Sequence, residues 1–61
     1  MVYKYLDAKD EHVIAEAALT SDPELGELVP VAGQMRRVIK VAEQIDKEGR
    51  IYNAVYTTKY V

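Results

Sequence analysis

The stretch PVAGQMRRVIKVAEQIDKEG, residues 30–49, is the only long segment of the chain with a clear hydrophobic period. Its apolar residues recur at steps of four, three, one, three and three, so they fall on one stripe of a helix: Val31, Met35, Val38, Ile39, Ala42 and Ile45. Gly49 then suits the position just after a helix C-terminus. The spacing predicts a helix over residues 31–48. A strand over 37–42 is the open alternative, because β-branched residues are frequent there, but its period-two alternation is poor.

The segments on either side complete an α+β prediction. Residues 2–6, VYKYL, alternate like a short strand, and Asp7 then suits the N-cap of a first helix over residues 8–20. Pro23 ends that helix. Residues 50–61, RIYNAVYTTKYV, have strand propensity throughout. We expect one domain over residues 1–61, a β-α-α-β unit with two helices packed on a short sheet formed by the N- and C-terminal strands.

Alternation along the last predicted strand assigns its residues to two faces. One face would carry Tyr52, Ala54, Tyr56, Thr58 and Tyr60. The other would carry Ile51, Asn53, Val55, Thr57, Lys59 and Val61. Both faces have apolar bulk, so we expect helices to cover one of them and a partner the other.

The size and composition of the chain favour association. A chain of 61 residues is near the lower limit for independent folding, and such chains often rely on disulfides, a metal or a partner. There is no cysteine and only one histidine, which argues against a disulfide or a tetrahedral zinc site. We therefore expect no metal, no small-molecule cofactor, and a homo-oligomer or a protein partner. No signal peptide and no apolar run of spanning length is seen, so a cytoplasmic protein without membrane contact is predicted.

Charge is divided unevenly along the chain. Residues 1–33 hold two basic and seven acidic side chains, a net charge of −5, whereas residues 34–61 hold six basic and three acidic ones, a net charge of +3. The candidate binding residues lie in the basic half: Arg36, Arg37, Lys40, Lys47, Arg50, Tyr52 and Tyr56. Basic groups interleaved with aromatic rings are suited to phosphates and bases. The overall sequence pI of about 5.2 is lower than is usual for nucleic-acid-binding domains.

An acidic cluster is the one local candidate for acid–base or metal chemistry. Asp7, Asp10, Glu11 and His12 stand together at the predicted start of the first helix. Acidic residues are favoured there by the helix dipole alone. No catalytic residue is therefore predicted.

Residues 18–38, ALTSDPELGELVPVAGQMRRV, resemble the central region of RelE/HigB-type toxins. In that family a helix ends in a similar proline- and glycine-containing run, and a basic strand and a tyrosine-rich strand follow, which residues 49–56 echo. The resemblance implies that Arg36 and Arg37 match the basic pair of the family. It also implies cleavage of ribosome-associated mRNA and an antitoxin partner.

Three functions follow from these observations. The leading expectation is a small non-enzymatic interaction module that associates with itself or with a protein partner. The first alternative is a nucleic-acid-binding accessory protein that uses the basic residues of the second predicted helix. The second is a RelE/HigB-like mRNA-cleaving toxin or a degenerate relative of one.

Overall fold

The computed structural model describes residues 1–60, and all of its regular structure is β. Five strands follow one another along the chain: β1 (Val2–Asp7), β2 (Val13–Ala18), β3 (Leu28–Val31), β4 (Gln34–Ile45) and β5 (Ile51–Lys59). The described residues contain no helix. The predicted α+β class and its β-α-α-β order are therefore wrong. Val61, the last residue of the predicted C-terminal strand, lies outside the described residues.

The strands form a single sheet in the order β2-β1-β5-β4-β3. The strands nearest the two chain ends, β1 and β5, lie side by side in parallel, with Tyr5 opposite Val55. The other neighbours are antiparallel. No helix of residues 1–60 is long and apolar enough to cross a membrane.

The helix predicted over residues 31–48 is replaced by a hairpin of β3 and β4. Val31 pairs with Gln34, and the two residues between them have positive φ angles, 50° at Ala32 and 82° at Gly33. Two consecutive positive φ angles are typical of a type I′ turn and incompatible with a right-handed helix. Both strands next to this turn contain β-branched residues, which favour extended backbone. Because β4 is hydrogen-bonded to β3 on one side and β5 on the other, strand pairing determines its structure despite the helical spacing of its apolar residues.

The helix predicted over residues 8–20 is also wrong. Asp7 does not cap a helix: its Oδ1 accepts a hydrogen bond from the Lys9 amide at 2.8 Å, which closes a local turn. The φ angle of Glu11 is 61°, and the chain then reverses into β2. Strand pairing with β1 determines the structure of this alanine-rich segment, despite the high helix propensity of alanine.

The sheet curls around a small core. A buried cluster joins Tyr3 of β1, Val29 and Val31 of β3, Val38 of β4 and Val55 of β5. Ile14 and Ala15 of β2, the strand at the opposite edge, pack against the same cluster. Residues of both edge strands thus meet on one side of the sheet. That side is the inner, concave face, and the opposite side is the outer, convex face.

Candidate functional site

A row of three tyrosines runs along the outer face of β5: Tyr52 and Tyr56 belong to the strand, and Tyr60 directly follows it. Pairing with β4 and β1 gives β5 a regular alternation, in which Val55 and Thr57 point into the core. Tyr52, Tyr56 and Tyr60 share the other parity and point outward. Tyr52 and Tyr56 are half-buried, and Tyr60 is 56% exposed. The tyrosines thus lie on the face of the strand that alternation in the sequence assigns to them.

Each tyrosine of the row has a cation over its ring. The Nζ of Lys4 lies 4.4 Å from the centroid of the Tyr52 ring, and the Nζ of Lys40 lies 5.2 Å from that of Tyr56. The guanidinium carbon of Arg37 lies 5.7 Å from the centroid of Tyr60. All three distances are within the range of cation–π attraction. These six residues, contributed by β1, β4, β5 and the position directly after β5, are called the tyrosine face below.

A bulge in β4 brings two of the cations to the same face. Arg37 pairs with Thr58 and Val38 with Thr57, but the next pair is Lys40 with Tyr56, so Ile39 is an extra residue. In an unbroken strand Arg37 and Lys40, three positions apart, would point to opposite faces. The inserted Ile39 shifts the alternation by one, and both side chains join the tyrosine face.

Acidic residues are absent from the outward positions of β4 and β5. By pairing and parity, those positions are Met35, Arg37, Lys40, Ala42, Gln44, Tyr52, Ala54, Tyr56 and Thr58, and Tyr60 continues the row after β5. Two carboxylates flank the Tyr52 end, where Glu16 of β2 lies opposite Lys4 and Asp46 begins the β4–β5 turn. The middle of the tyrosine face is therefore positively charged, although the whole chain has a net charge of −2.

An open pocket of about 340 Å³ lies at the Tyr52 end. Its lining includes Lys4, Glu16, Asp46, Arg50 and Tyr52. The Arg50 amide donates to the Asp46 carboxylate at 2.9 Å, which holds the pKa of Asp46 below its ordinary value. The charges lining this pocket are mixed, in contrast to the middle of the face.

Arg36 does not join the predicted binding residues at the surface. It is 3% exposed and points into the inner side, where its Nε donates to Thr57 Oγ1 at 2.7 Å. Its Nη2 donates to Asp7 Oδ2 at 3.0 Å and to the Thr57 carbonyl at 3.3 Å. Thr57 Oγ1 in turn donates to the Leu6 carbonyl at 2.9 Å. Arg36 thereby ties β4 to β5 and to the end of β1.

The structure separates the other predicted residues into two groups. Arg37, Lys40, Tyr52 and Tyr56 lie on the tyrosine face. Lys47 and Arg50 belong to the β4–β5 turn, which lies at one end of the tyrosine face. The prediction missed Lys4, and it gave Tyr60 a strand face but no binding role. Lys4 could have been found from the alternation of Tyr3, Lys4 and Tyr5, since two core-facing tyrosines place the lysine between them on the outer face.

The acidic cluster lies in the β1–β2 turn. Ligand atoms of Asp7, Asp10 and His12 lie within 4.8 Å of one another. Both carboxylates already accept hydrogen bonds, Asp7 from the Lys9 amide and Arg36, and Asp10 from the His12 amide and ring. These bonds hold the pKa values of Asp7 and Asp10 below their ordinary values, with the amide bond the largest cause in each. The cluster is accounted for as the hydrogen-bonding of a turn.

No protein-family model, curated protein or solved structure matches the chain. The resemblance to RelE/HigB-type toxins stays a prediction. The segment that precedes its proline- and glycine-containing run is strand β2 here, where the family has a helix.

Proposed function

We propose that the chain is a non-enzymatic binding module that holds nucleic acid on the tyrosine face. The observation that supports this most is the row of three outward tyrosines, each beside a cation from β1 or β4. Aromatic rings provide stacking surfaces for bases, and neighbouring cations bind the phosphates.

The charge of the tyrosine face supports the proposal, although the pI of the whole chain is acidic. Seven of the ten acidic residues belong to residues 1–33, whereas the outward positions of β4 and β5 carry only cations among their charged residues. Binding of a polyanion depends on the field of the surface that it approaches. A weakly acidic chain with this segregation is compatible with a nucleic-acid ligand.

The test is the affinity for labelled oligonucleotides, single-stranded and duplex, measured by fluorescence anisotropy over a range of salt concentrations. Three cations that contact phosphates give a slope of log K against log salt of about −2 for a single strand. Lys40→Gln should weaken binding and make the slope shallower by about 0.7. Lys9→Gln makes the same charge change in the exposed β1–β2 turn and is the matched control.

Two results would refute the proposal. One is that neither the single-stranded nor the duplex oligonucleotide binds at low salt. The other is an equal loss of affinity in the Lys40 and Lys9 variants, which would indicate a diffuse charge effect without a defined face.

Self-association is the second candidate, and the free edge of β2 favours it. Among residues 1–60, β2 has one strand neighbour, β1. The other sheet edge, β3, is only four residues long and contains Pro30, which has no amide proton to donate. A second copy pairing its own β2 antiparallel to this one would cover the β2 edge of each copy.

Sedimentation velocity over a wide concentration range tests this candidate. Val13→Lys places a charge on the edge strand and should shift a dimer to monomer. Val2→Lys makes the same change at a similarly exposed position on an inner strand and should not. A monomer at all concentrations in the unmodified chain would rule out the pairing.

A further inference from the structure

We infer that the ligand of the tyrosine face is a pyrimidine-rich single strand, held in an extended conformation along β5. This inference rests on the nucleic-acid-binding function proposed above and narrows its ligand class. It follows from the spacing of the rings, the shape of the face and the positions of the cations.

The spacing of the rings requires separated bases. Tyr52 and Tyr56 are four residues apart in β5, so their Cα atoms are about 13 Å apart at the rise of a β-strand, and Tyr60 follows at the same interval directly after the strand. Successive bases of a stacked strand are about 3.4 Å apart along the helix axis. Adjacent stacked bases therefore cannot occupy adjacent rings. A strand that uses all three rings must be unstacked and extended.

The shape of the face disfavours a duplex. Proteins read duplex bases by inserting a helix or a ribbon into a groove. The tyrosine face lies on the convex side of the sheet, and two of its three tyrosines are half-buried, so they do not form a projecting element that could enter a groove. The flat surfaces of duplex bases are covered by their neighbours, whereas those of a single strand are free to stack on tyrosine.

The three cations are spread along the row at the spacing of the rings, so each can contact a phosphate next to the base on its own ring. Lys4 lies at one end of the row, Lys40 at the middle ring and Arg37 at the other end. In the free protein each of these groups lies over a tyrosine ring, and Arg37 also donates from Nη1 to the Gly26 carbonyl at 2.8 Å, which leaves its other amino group for a phosphate. When a base stacks on that ring, the adjacent phosphate offers the displaced cation a charged partner, which is a stronger acceptor than a ring.

The need to separate bases predicts a preference among sequences. Preferences of single-strand sites arise from stacking strength and backbone flexibility. Purine runs stack strongly on themselves, and that stacking must be lost before the bases can reach separated rings. Thymine or uracil runs stack weakly and lose less.

The experiment compares three probes of equal length, roughly sixteen nucleotides, with the unmodified chain: oligothymidylate, oligodeoxyadenylate and a mixed-sequence duplex. We expect oligothymidylate to bind about tenfold tighter than the duplex and a few-fold tighter than oligodeoxyadenylate, because sequence preferences at stacking sites are modest. Tyr56→Leu should weaken oligothymidylate binding by about tenfold, the loss of one stacked base. Tyr56→Phe keeps the ring and should bind within a few-fold of the unmodified chain.

The outcomes separate this inference from the function on which it rests. Duplex or oligodeoxyadenylate binding as tight as oligothymidylate binding would overturn the inference and leave nucleic-acid binding in place. Equal affinities of the Leu and Phe variants would overturn stacking on Tyr56. Failure of all three probes to bind would overturn the proposed function and this inference with it.

Discussion

Replacing Thr57 with valine removes the hydroxyl that joins β1, β4 and β5. Thr57 is fully buried, and its Oγ1 accepts a hydrogen bond from Arg36 Nε at 2.7 Å and donates one to the Leu6 carbonyl at 2.9 Å. Valine has nearly the same shape and a higher strand propensity. Shape and propensity alone therefore predict a neutral or stabilising change.

The hydrogen bonds predict the opposite. Loss of a hydrogen bond by a charged donor costs about 1.5–3 kcal/mol, and loss by a neutral partner costs about 1 kcal/mol. Together Thr57→Val should lower the free energy of unfolding by about 2–4 kcal/mol. A 61-residue chain has a total of roughly 3–9 kcal/mol, so much of its stability should be lost.

Thr57→Ser is the matched variant, because it keeps the hydroxyl and removes only a methyl group. Its expected cost is about 1 kcal/mol, the value for one buried methylene. Urea unfolding followed by circular dichroism gives both free energies. A valine variant that is as stable as the serine variant would refute the role assigned to the Arg36–Thr57 network.

Three further predictions concern the turns. Asp7, Asp10 and Asp46 have lowered pKa values in the folded state, mainly because backbone amides donate to them. Their contribution to stability is therefore present above the unfolded pKa of about 3.9 and is lost as the pH falls through the lower folded values. The urea concentration at the unfolding midpoint should fall once the pH is below about 4, and this fall should be smaller in the Asp7→Asn variant. Ala32→Asn should raise the free energy of unfolding by about 0.5–1 kcal/mol, because φ is 50° there and asparagine tolerates that region better than alanine does; an unchanged or lower value would argue against the type I′ turn. Gly49→Ala should lower it by about 1–2 kcal/mol, since φ is 81° in the β4–β5 turn, and a neutral result would contradict that conformation.

The faces of β5 were predictable from sequence because nothing interrupts the strand. Alternation alone placed Tyr52, Tyr56 and Tyr60 on one side and Val55 and Thr57 on the other, and the structure has the same division. The partners of this strand were not predictable, because β2, β3 and β4 were assigned to helices or connections.

The apolar stripe that predicts a helix does not correspond to one face of β4. Val38 is buried, whereas Met35, Ile39 and Ile45 of the same stripe are exposed. The bulge at Ile39 changes the parity of the strand in its middle, so Val38 and Val41, three positions apart, both pack toward the core. Val31 and Val38, which helical spacing places on one face, belong to two different strands.

The separation of Arg36 from Arg37 could not be read from the sequence. Both are arginines in a basic segment, and only strand parity sends one inward and the other to the tyrosine face. The partner of Arg36 is Asp7, which lies twenty-nine positions away and was assigned to a helix cap. A long-range ion pair of this kind leaves no local pattern.

The most direct test of the tyrosine face uses the ring signals of the tyrosines themselves in NMR spectra recorded during titration with oligothymidylate. The chain has five tyrosines: two belong to β1 and contribute to the core, Tyr3 and Tyr5, and three form the outer row. We predict that the ring signals of Tyr52, Tyr56 and Tyr60 move upfield as bases stack on them, while those of Tyr3 and Tyr5 stay in place. The account would be contradicted if the ring signals of the outer row did not shift at saturating oligothymidylate. It would also be contradicted if the ring signals of all five tyrosines shifted together.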